Sequence, residues 1–362
     1  MKRVIAGMAA ALLAAVLVFP FNAKAVSAEN AILLDAGTNR ILFKKNADDK
    51  ALIASTTKIM TALLICEQCN VLDRMAIPKE AVGIEGSSLY LREGEVLTIQ
   101  DLLYGLMLHS GNDAAVALAI YCSGTVEGFV ALMNDKAHRL GLENTHFENP
   151  HGLDGREHYS TAADMARLTA YAMENPIFNK TVSTRTIRIG DRSLRNHNKL
   201  LWHLEGADGV KTGYTRAAGR ILVSSVTRQG RRLIAVTMND RNDWQDHKYL
   251  HESGFSRFHL EQTVHKDSVL GYAEVAGGVI DYVELVAFED HFYPVTDQES
   301  ITIVLQQPGF VYAPVAEGGQ AGYAYVCVDG QPVGKIPLYY GQTVEMIKAG
   351  KKSFLQWLFG KE

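Results

Sequence analysis

Ala54-Ser55-Thr56-Thr57-Lys58-Ile59-Met60-Thr61-Ala62-Leu63-Leu64-Ile65-Cys66-Glu67-Gln68-Cys69 carries apolar Ile59, Met60, Leu63 and Leu64 at the spacing of one helix face. The extended run before it puts Ser55 at the helix N-terminus, with Lys58 one turn along on the same face. Backbone N–H groups and the positive dipole end gathered there stabilise negative charge developing beside a serine. An S-x-x-K string is expected about once by chance in a chain of 362 residues, so its context carries the weight.

Two later blocks supply that context. Ser110-Gly111-Asn112 falls between apolar helical patterns, Thr98 to His109 and Asn112 to Tyr121, and reads as a tight turn. Thr98 and Asp101 have the spacing of a capping box on the first of these helices. Lys211-Thr212-Gly213-Tyr214 comes just before a strand pattern, Arg220 to Thr227. Each block alone is ordinary structural chemistry, whereas all three in this order, with a helix after the first and a strand pair around the third, point to one serine acyl-transfer site.

A serine hydroxyl needs a base, and a neutral lysine beside it will serve. From an ordinary lysine pKa of about 10.4, neutrality near pH 7 needs a shift of about 3 units, roughly 4 kcal/mol. Burial and a second cation both push that way, and Lys211 is the candidate cation, so both lysines should face one cleft. Ser110 is placed to relay a proton between Lys58 or Lys211 and the leaving group, and Asn112 to hold a substrate amide. Thr212 and its cationic surroundings suit a carboxylate. The N–H groups of Ser55 and Tyr214, the latter beside Gly213, are candidates for an oxyanion hole.

The chain resembles the serine-type D-alanyl-D-alanine carboxypeptidases of peptidase family S11, low-molecular-mass penicillin-binding proteins that trim peptidoglycan stem peptides. Beyond the three blocks the resemblance extends to Gly86-Ser87-Ser88-Leu89-Tyr90-Leu91, Asn149-Pro150-His151-Gly152-Leu153-Asp154 and Gly209-Val210-Lys211-Thr212-Gly213-Tyr214-Thr215. It implies a β-lactamase/transpeptidase-like α+β domain and an acyl-enzyme released by water. It also implies loss of the terminal D-alanine from stem peptides ending in D-Ala-D-Ala, and covalent inhibition by β-lactams. Carried over by position, Ser55 is the nucleophile, Lys58 the proton acceptor, Ser110 with Asn112 the second catalytic element, and Lys211 with Thr212 the third. Some family members hold the substrate carboxylate with an arginine beyond the following strand; here that stretch reads Arg241-Asn242-Asp243-Trp244-Gln245-Asp246-His247, and either Arg241 or His247 could substitute.

Three rivals share parts of this pattern. A serine β-lactamase shares the blocks, but no E-x-x-L-N-like segment lies between the second and third. A zinc peptidase on His146, His151 and His158 with Asp154 lacks an H-E-x-x-H helix. A non-catalytic cell-wall-binding protein would not need Ser55, Lys58 and Lys211 intact. The reading calls for no metal or organic cofactor.

Lys2, Arg3 and an apolar core from Val4 to Phe21 read as a secretory signal peptide, with cleavage candidates at Ala23-Lys24-Ala25 and Val26-Ser27-Ala28. Its removal takes the formal charge from −4 to about −7, a poor balance for binding nucleic acid. Cys66, Cys69, Cys122 and Cys327 permit disulfides in an exported chain, yet Cys66-x-x-Cys69 falls at the end of the active-site helix and no second pair completes a zinc site, so packed thiols are expected.

Apolar runs at Ala31 to Leu34 and Arg40 to Phe43 flank a hairpin turn, helices fill the middle, including Val126 to Leu140 and Thr161 to Met173, and strands return at Val182 to Ile189, Arg220 to Thr227 and Arg231 to Met238. Strands at both ends with helices between make one antiparallel sheet. After Phe255 short strands follow, at Val283 to Phe288, Ile301 to Leu305, Ala324 to Val328 and Val333 to Leu338, as in a small all-β sandwich. The expected order is a signal peptide (1–28), a peptidase domain (29–258), a β-sandwich domain (259–342) and an amphipathic tail (343–362). In the tail Phe354, Leu355, Trp357, Leu358 and Phe359 share one helical arc beside Lys351 and Lys352, which suits the outer face of the cytoplasmic membrane.

Overall fold

The structure, a computed structural model, describes residues 26–348. The signal-peptide reading up to residue 25 and the amphipathic part of the tail lie outside the described residues.

The first strand, β1 (Asn30–Asp35), pairs antiparallel with β2 (Ile41–Lys45). A 3-10 turn, Ala54–Thr57, runs directly into α1 (Lys58–Gln68). Next come the short hairpin of β3 (Arg74–Ala76) with β4 (Val96–Thr98), then α2 (Ile99–Leu108), α3 (Asn112–Ser123) and α4 (Val126–Arg139). The capping box at α2 forms as expected: the Asp101 N–H donates to Thr98 Oγ1 at 3.0 Å, and the Thr98 N–H donates to Asp101 Oδ2 at 3.1 Å.

Thr161 caps α5 (Ala162–Glu174). One expectation fails next. Val182 lies not in a strand but in α6 (Pro176–Ser183), because Asn175 Oδ1 accepts from the Ile177 and Phe178 N–H groups and Pro176 sits at the first helical position. The strand there, β5 (Thr186–Ile189), begins four residues later and pairs with β6 (Arg192–Arg195).

After the single-turn α7 (Leu200–His203) the chain re-enters the main sheet as β7 (Ala207–Thr215), β8 (Gly219–Arg228) and β9 (Arg231–Met238), and α8 (Asp243–Arg257) covers its back. The sheet order is β2-β1-β9-β8-β7, every pair antiparallel, so the last strand closes against the first. Alternation along the strands divides two cores: Val210, Ile221, Val223, Ile234 and Val236 face the helices around α1, while Leu222 and Val226 face α7 and α8. Strand β7 is an edge, with its face turned to the start of α1. Val26 and Ala28 are buried with Ala31, Leu33, Leu233, Ala235 and Leu250, so the folded unit begins upstream of the boundary at 29.

The remainder is all β. Strands β10 (His259–Val264) and β13 (His291–Val295) pair with each other. A six-stranded sheet has the order β14-β16-β17-β12-β11-β15, built from β11 (Val269–Ala276), β12 (Tyr282–Val286), β14 (Ile301–Gln306), β15 (Phe310–Tyr312), β16 (Gln320–Val328) and β17 (Gln331–Tyr340). Its own core gathers Val264, Val283, Leu285, Val326, Ile336 and Leu338. Arg40 bridges the two parts, donating to Glu299 and to the Pro294 carbonyl with its guanidinium over Phe258 and Tyr293.

Candidate active site

Ser55 sits in the 3-10 turn that feeds α1, and Lys58 is the first residue of that helix. The offset of three brings the amine back over the hydroxyl: Lys58 Nζ donates to Ser55 Oγ at 3.0 Å. The same amine reaches Asn112 Oδ1 at 2.6 Å and the His151 carbonyl at 2.5 Å, so three elements far apart in sequence meet on one nitrogen. Lys58 has no exposed surface, and Lys211 is 1 % exposed. Burial first, and the Lys211 charge second, hold the Lys58 amine well below the ordinary lysine range against an opposing pull from Asp113. Burial pushes Lys211 down to about 7, and its Nζ donates to the Thr212 carbonyl at 2.9 Å.

The second block is held by its neighbours. Asn112 opens α3, its N–H donating to the Ser87 carbonyl at 2.7 Å and its Nδ2 to the Glu85 carbonyl at 2.6 Å. Asp113 accepts from Ser88 Oγ at 2.6 Å and from the Leu89 and Leu91 N–H groups, which ties the Gly86–Leu91 segment to α3. Ser110 is nearly buried and adopts a left-handed φ of 66°, uncommon for a residue with a Cβ and typical of functional turns. Among the described residues no hydrogen bond joins its hydroxyl to either lysine.

The third block lies on the edge strand β7. Gly213 passes so close to the Ser55 turn that a Cβ there would stand 3.3 Å from the Ala54 Cβ, the Ile53 oxygen and the Thr56 Cγ2. Glycine is what lets strand and turn meet. Between them opens a cleft of about 460 Å³ lined by Ser55, Ser110, Thr212 and Tyr214, among others. Lys58 and Lys211 stand behind this lining rather than in it.

Arg220, Lys199, His197 and Trp244 also line the cleft. Arg220 pairs across the hairpin with Tyr214, and Asp243 at the start of α8 holds its guanidinium by three contacts of 2.8 to 3.0 Å. Neither earlier carboxylate candidate stands here: His247 is fully buried behind β8, bonded to Ser224 and Thr237, and Arg241 is outside the lining. Counting back from the turn between β7 and β8 would have found Arg220, since Thr215 opposite Gly219 puts Tyr214 opposite Arg220.

The histidines of the zinc alternative point to separate partners. His158 Nε2 lies 2.7 Å from Thr57 Oγ1, His146 Nδ1 lies 2.7 Å from the Glu157 carbonyl, and Asp154 accepts from Thr215. His151 is held down to about 3 by burial and the Lys58 charge. Among the described residues no cluster of histidine, cysteine and carboxylate groups could hold a metal ion.

The S11 family model, described as D-alanyl-D-alanine carboxypeptidase, matches residues 18–242, and the model for the C-terminal domain of penicillin-binding protein 5 matches residues 258–346. The chain is 32 % identical to D-alanyl-D-alanine carboxypeptidase DacF of Bacillus subtilis, covering 92 % of this chain and 89 % of that one. It is 31 % identical to D-alanyl-D-alanine carboxypeptidase DacC of Escherichia coli, covering 90 % and 86 %. The crystal structure of penicillin binding protein 5 from Haemophilus influenzae superposes with a TM-score of 0.78 at 30 % identity, over 88 % of this chain and 98 % of that chain. A serine and a buried lysine, set where a helix start meets a sheet edge, thus coincide with a match over most of the sequence: the chain belongs to the S11 peptidases, the D-alanyl-D-alanine carboxypeptidase family.

Proposed function

We propose the following division of labour in the serine D-Ala-D-Ala carboxypeptidase reaction of this chain. The neutral Lys58 amine takes the Ser55 proton as Oγ attacks the carbonyl carbon of the penultimate D-alanine, and the oxyanion forms against the Ser55 and Tyr214 N–H groups. The C–N bond breaks, the proton passes through Ser110 to the departing amine, and free D-alanine leaves. Water then adds to the acyl-enzyme, giving the shortened peptide acid and restoring the serine. Asn112 holds both Lys58 and a substrate amide. Thr212 and the fixed guanidinium of Arg220 receive the terminal carboxylate. The observation that carries this reading is the buried Lys58 amine 3.0 Å from Ser55 Oγ.

Mass spectrometry after penicillin treatment tests it. A single penicilloyl adduct on Ser55 that hydrolyses slowly is the expected result. Fast turnover of penicillin would instead mark a β-lactamase, and activity lost to chelators but indifferent to penicillin would overturn the serine mechanism.

The signal-like N-terminus and the Lys/Trp/Phe/Leu tail support an exported enzyme, peripheral on the outer face of the cell membrane and acting in cell-wall biogenesis and cell shape. Truncation after Gly350 should release the mature protein from membranes without loss of activity on a soluble peptide. Unchanged partitioning would refute the anchor.

A further inference from the structure

Ser27 meets two buried carboxylates. Its N–H donates to Asp246 Oδ2 at 2.6 Å, and its Oγ lies 2.7 Å from Asp240 Oδ1 and 2.8 Å from Asp246 Oδ2. Asp240 is fully buried and Asp246 is 3 % exposed. A hydroxyl has one proton to give, so it cannot serve both acids at once. The Asn242 N–H also donates to Asp240 Oδ1, but Asp240 Oδ2 has no partner among the described residues. Among the described residues the Asp246 carboxylate accepts hydrogen bonds only from Ser27. The nearby cation Lys45 donates to the Val26 carbonyl at 3.0 Å, and among the described residues no hydrogen bond joins it to either carboxylate. Burial, with the neighbouring Asp246, pushes Asp240 above the ordinary carboxylate range, and a pair in this state is relieved by a shared proton or by an added positive charge.

We infer that the mature chain begins at Val26, and that its freed α-ammonium is the missing counter-charge of Asp240 and Asp246. The inference rests on the export reading. A signal peptidase hydrolyses the Ala25–Val26 amide, water supplying the hydroxyl of the new Ala25 carboxyl group and a proton to the Val26 amine, which is protonated at neutral pH. Ala23 and Ala25 are the small residues such a cut requires at its third and first positions upstream. The new ammonium lies one residue before the Ser27 N–H that already touches Asp246, within about 3.8 Å of chain.

A cut at the other small-residue site, after Ala28, would cost the fold several contacts. That cut would strip the Asp246 carboxylate of both hydrogen bonds it accepts among the described residues, and Asp240 of the Ser27 hydroxyl. It would also take the buried Val26 and Ala28 out of the cluster with Leu33, Leu233 and Leu250.

N-terminal sequencing and intact mass of the enzyme exported by the native host, expressed from the full chain, decide the point. A start at Val26 is expected. A start at Glu29, or a retained Met1 on exported enzyme, would overturn the proposal while leaving export intact, and enzyme found only in the cytoplasm with Met1 retained would overturn the export reading with it. As a second measurement, mild acetylation of the α-amine should lower the melting temperature of the Val26 form by several degrees and have a clearly smaller effect in the doubly neutralised Asp240→Asn, Asp246→Asn protein. Equal shifts in the two proteins would remove the counter-charge role.

Discussion

Replacing Gly152 with alanine should disable the active site without touching a reacting atom. Gly152 has φ +89°, and a Cβ built on it would lie 1.9 Å from the Ala54 oxygen, 2.4 Å from the Ala54 carbonyl carbon and 2.8 Å from Thr57 Oγ1. Those atoms belong to the turn that presents Ser55, and the preceding carbonyl, His151 O, accepts from Lys58 Nζ. Ordinary carbon–oxygen contact needs well over 3 Å, so loop and turn must separate by more than about 1 Å. Left-handed strain on alanine costs about 1–2 kcal/mol, and overpacking about 1–3 kcal/mol more. Misplacement on this scale lowers a rate by about 100-fold. Gly141→Ala is the control: its φ is +67° but nothing lies within 4 Å of the added Cβ, so it pays only the strain. Stopped-flow acylation by a chromogenic β-lactam, measured where both variants are folded by circular dichroism, should show about a 100-fold loss in Gly152→Ala and near-normal rates in Gly141→Ala. Normal acylation by folded Gly152→Ala would refute the argument that this loop sets the Ser55–Lys58 geometry.

Lys211→Gln should move the acid limb of the acylation pH profile upward. The sign follows from the charges: Lys211, pushed to about 7, gains its proton as pH falls and thereby keeps Lys58 neutral, so its loss lets Lys58 protonate at higher pH. An unmoved limb would separate the two lysines. Arg220→Gln should raise KM for peptides with a free terminal carboxylate by about tenfold or more, as expected for losing a charge-assisted hydrogen bond of about 1.5–3 kcal/mol, with little change in kcat. Binding of the corresponding C-terminal amide should be unaffected, and equal weakening of acid and amide would assign Arg220 to packing. Asp243→Asn should act in the same direction but more weakly, since Asp243 clamps the Arg220 guanidinium.

Local signals were legible in the sequence because their causes span a turn or less. The α1 face, the Thr98–Asp101 box, the Ser110-Gly111-Asn112 turn and the Arg231–Met238 strand are read from spacing alone. The Val182 misreading was local as well: a β-branched residue at a helix end resembles a strand start until the Asn175-Pro176 cap is weighed. The three blocks supplied the proposed reacting groups, and their order carried the resemblance to one family.

What only the folded chain decided is how charge and solvent are distributed around those groups. The Lys58 amine is held below the ordinary lysine range because burial removes water and Lys211, 153 positions later, adds repulsion. Arg220 rather than Arg241 or His247 faces the cleft because the β7–β8 register and the Asp243 clamp aim it there, while His247 turns behind the sheet. Composition and periodicity report which residues alternate between water and core. Desolvation and the approach of like charges depend on distances between segments that only tertiary packing brings together.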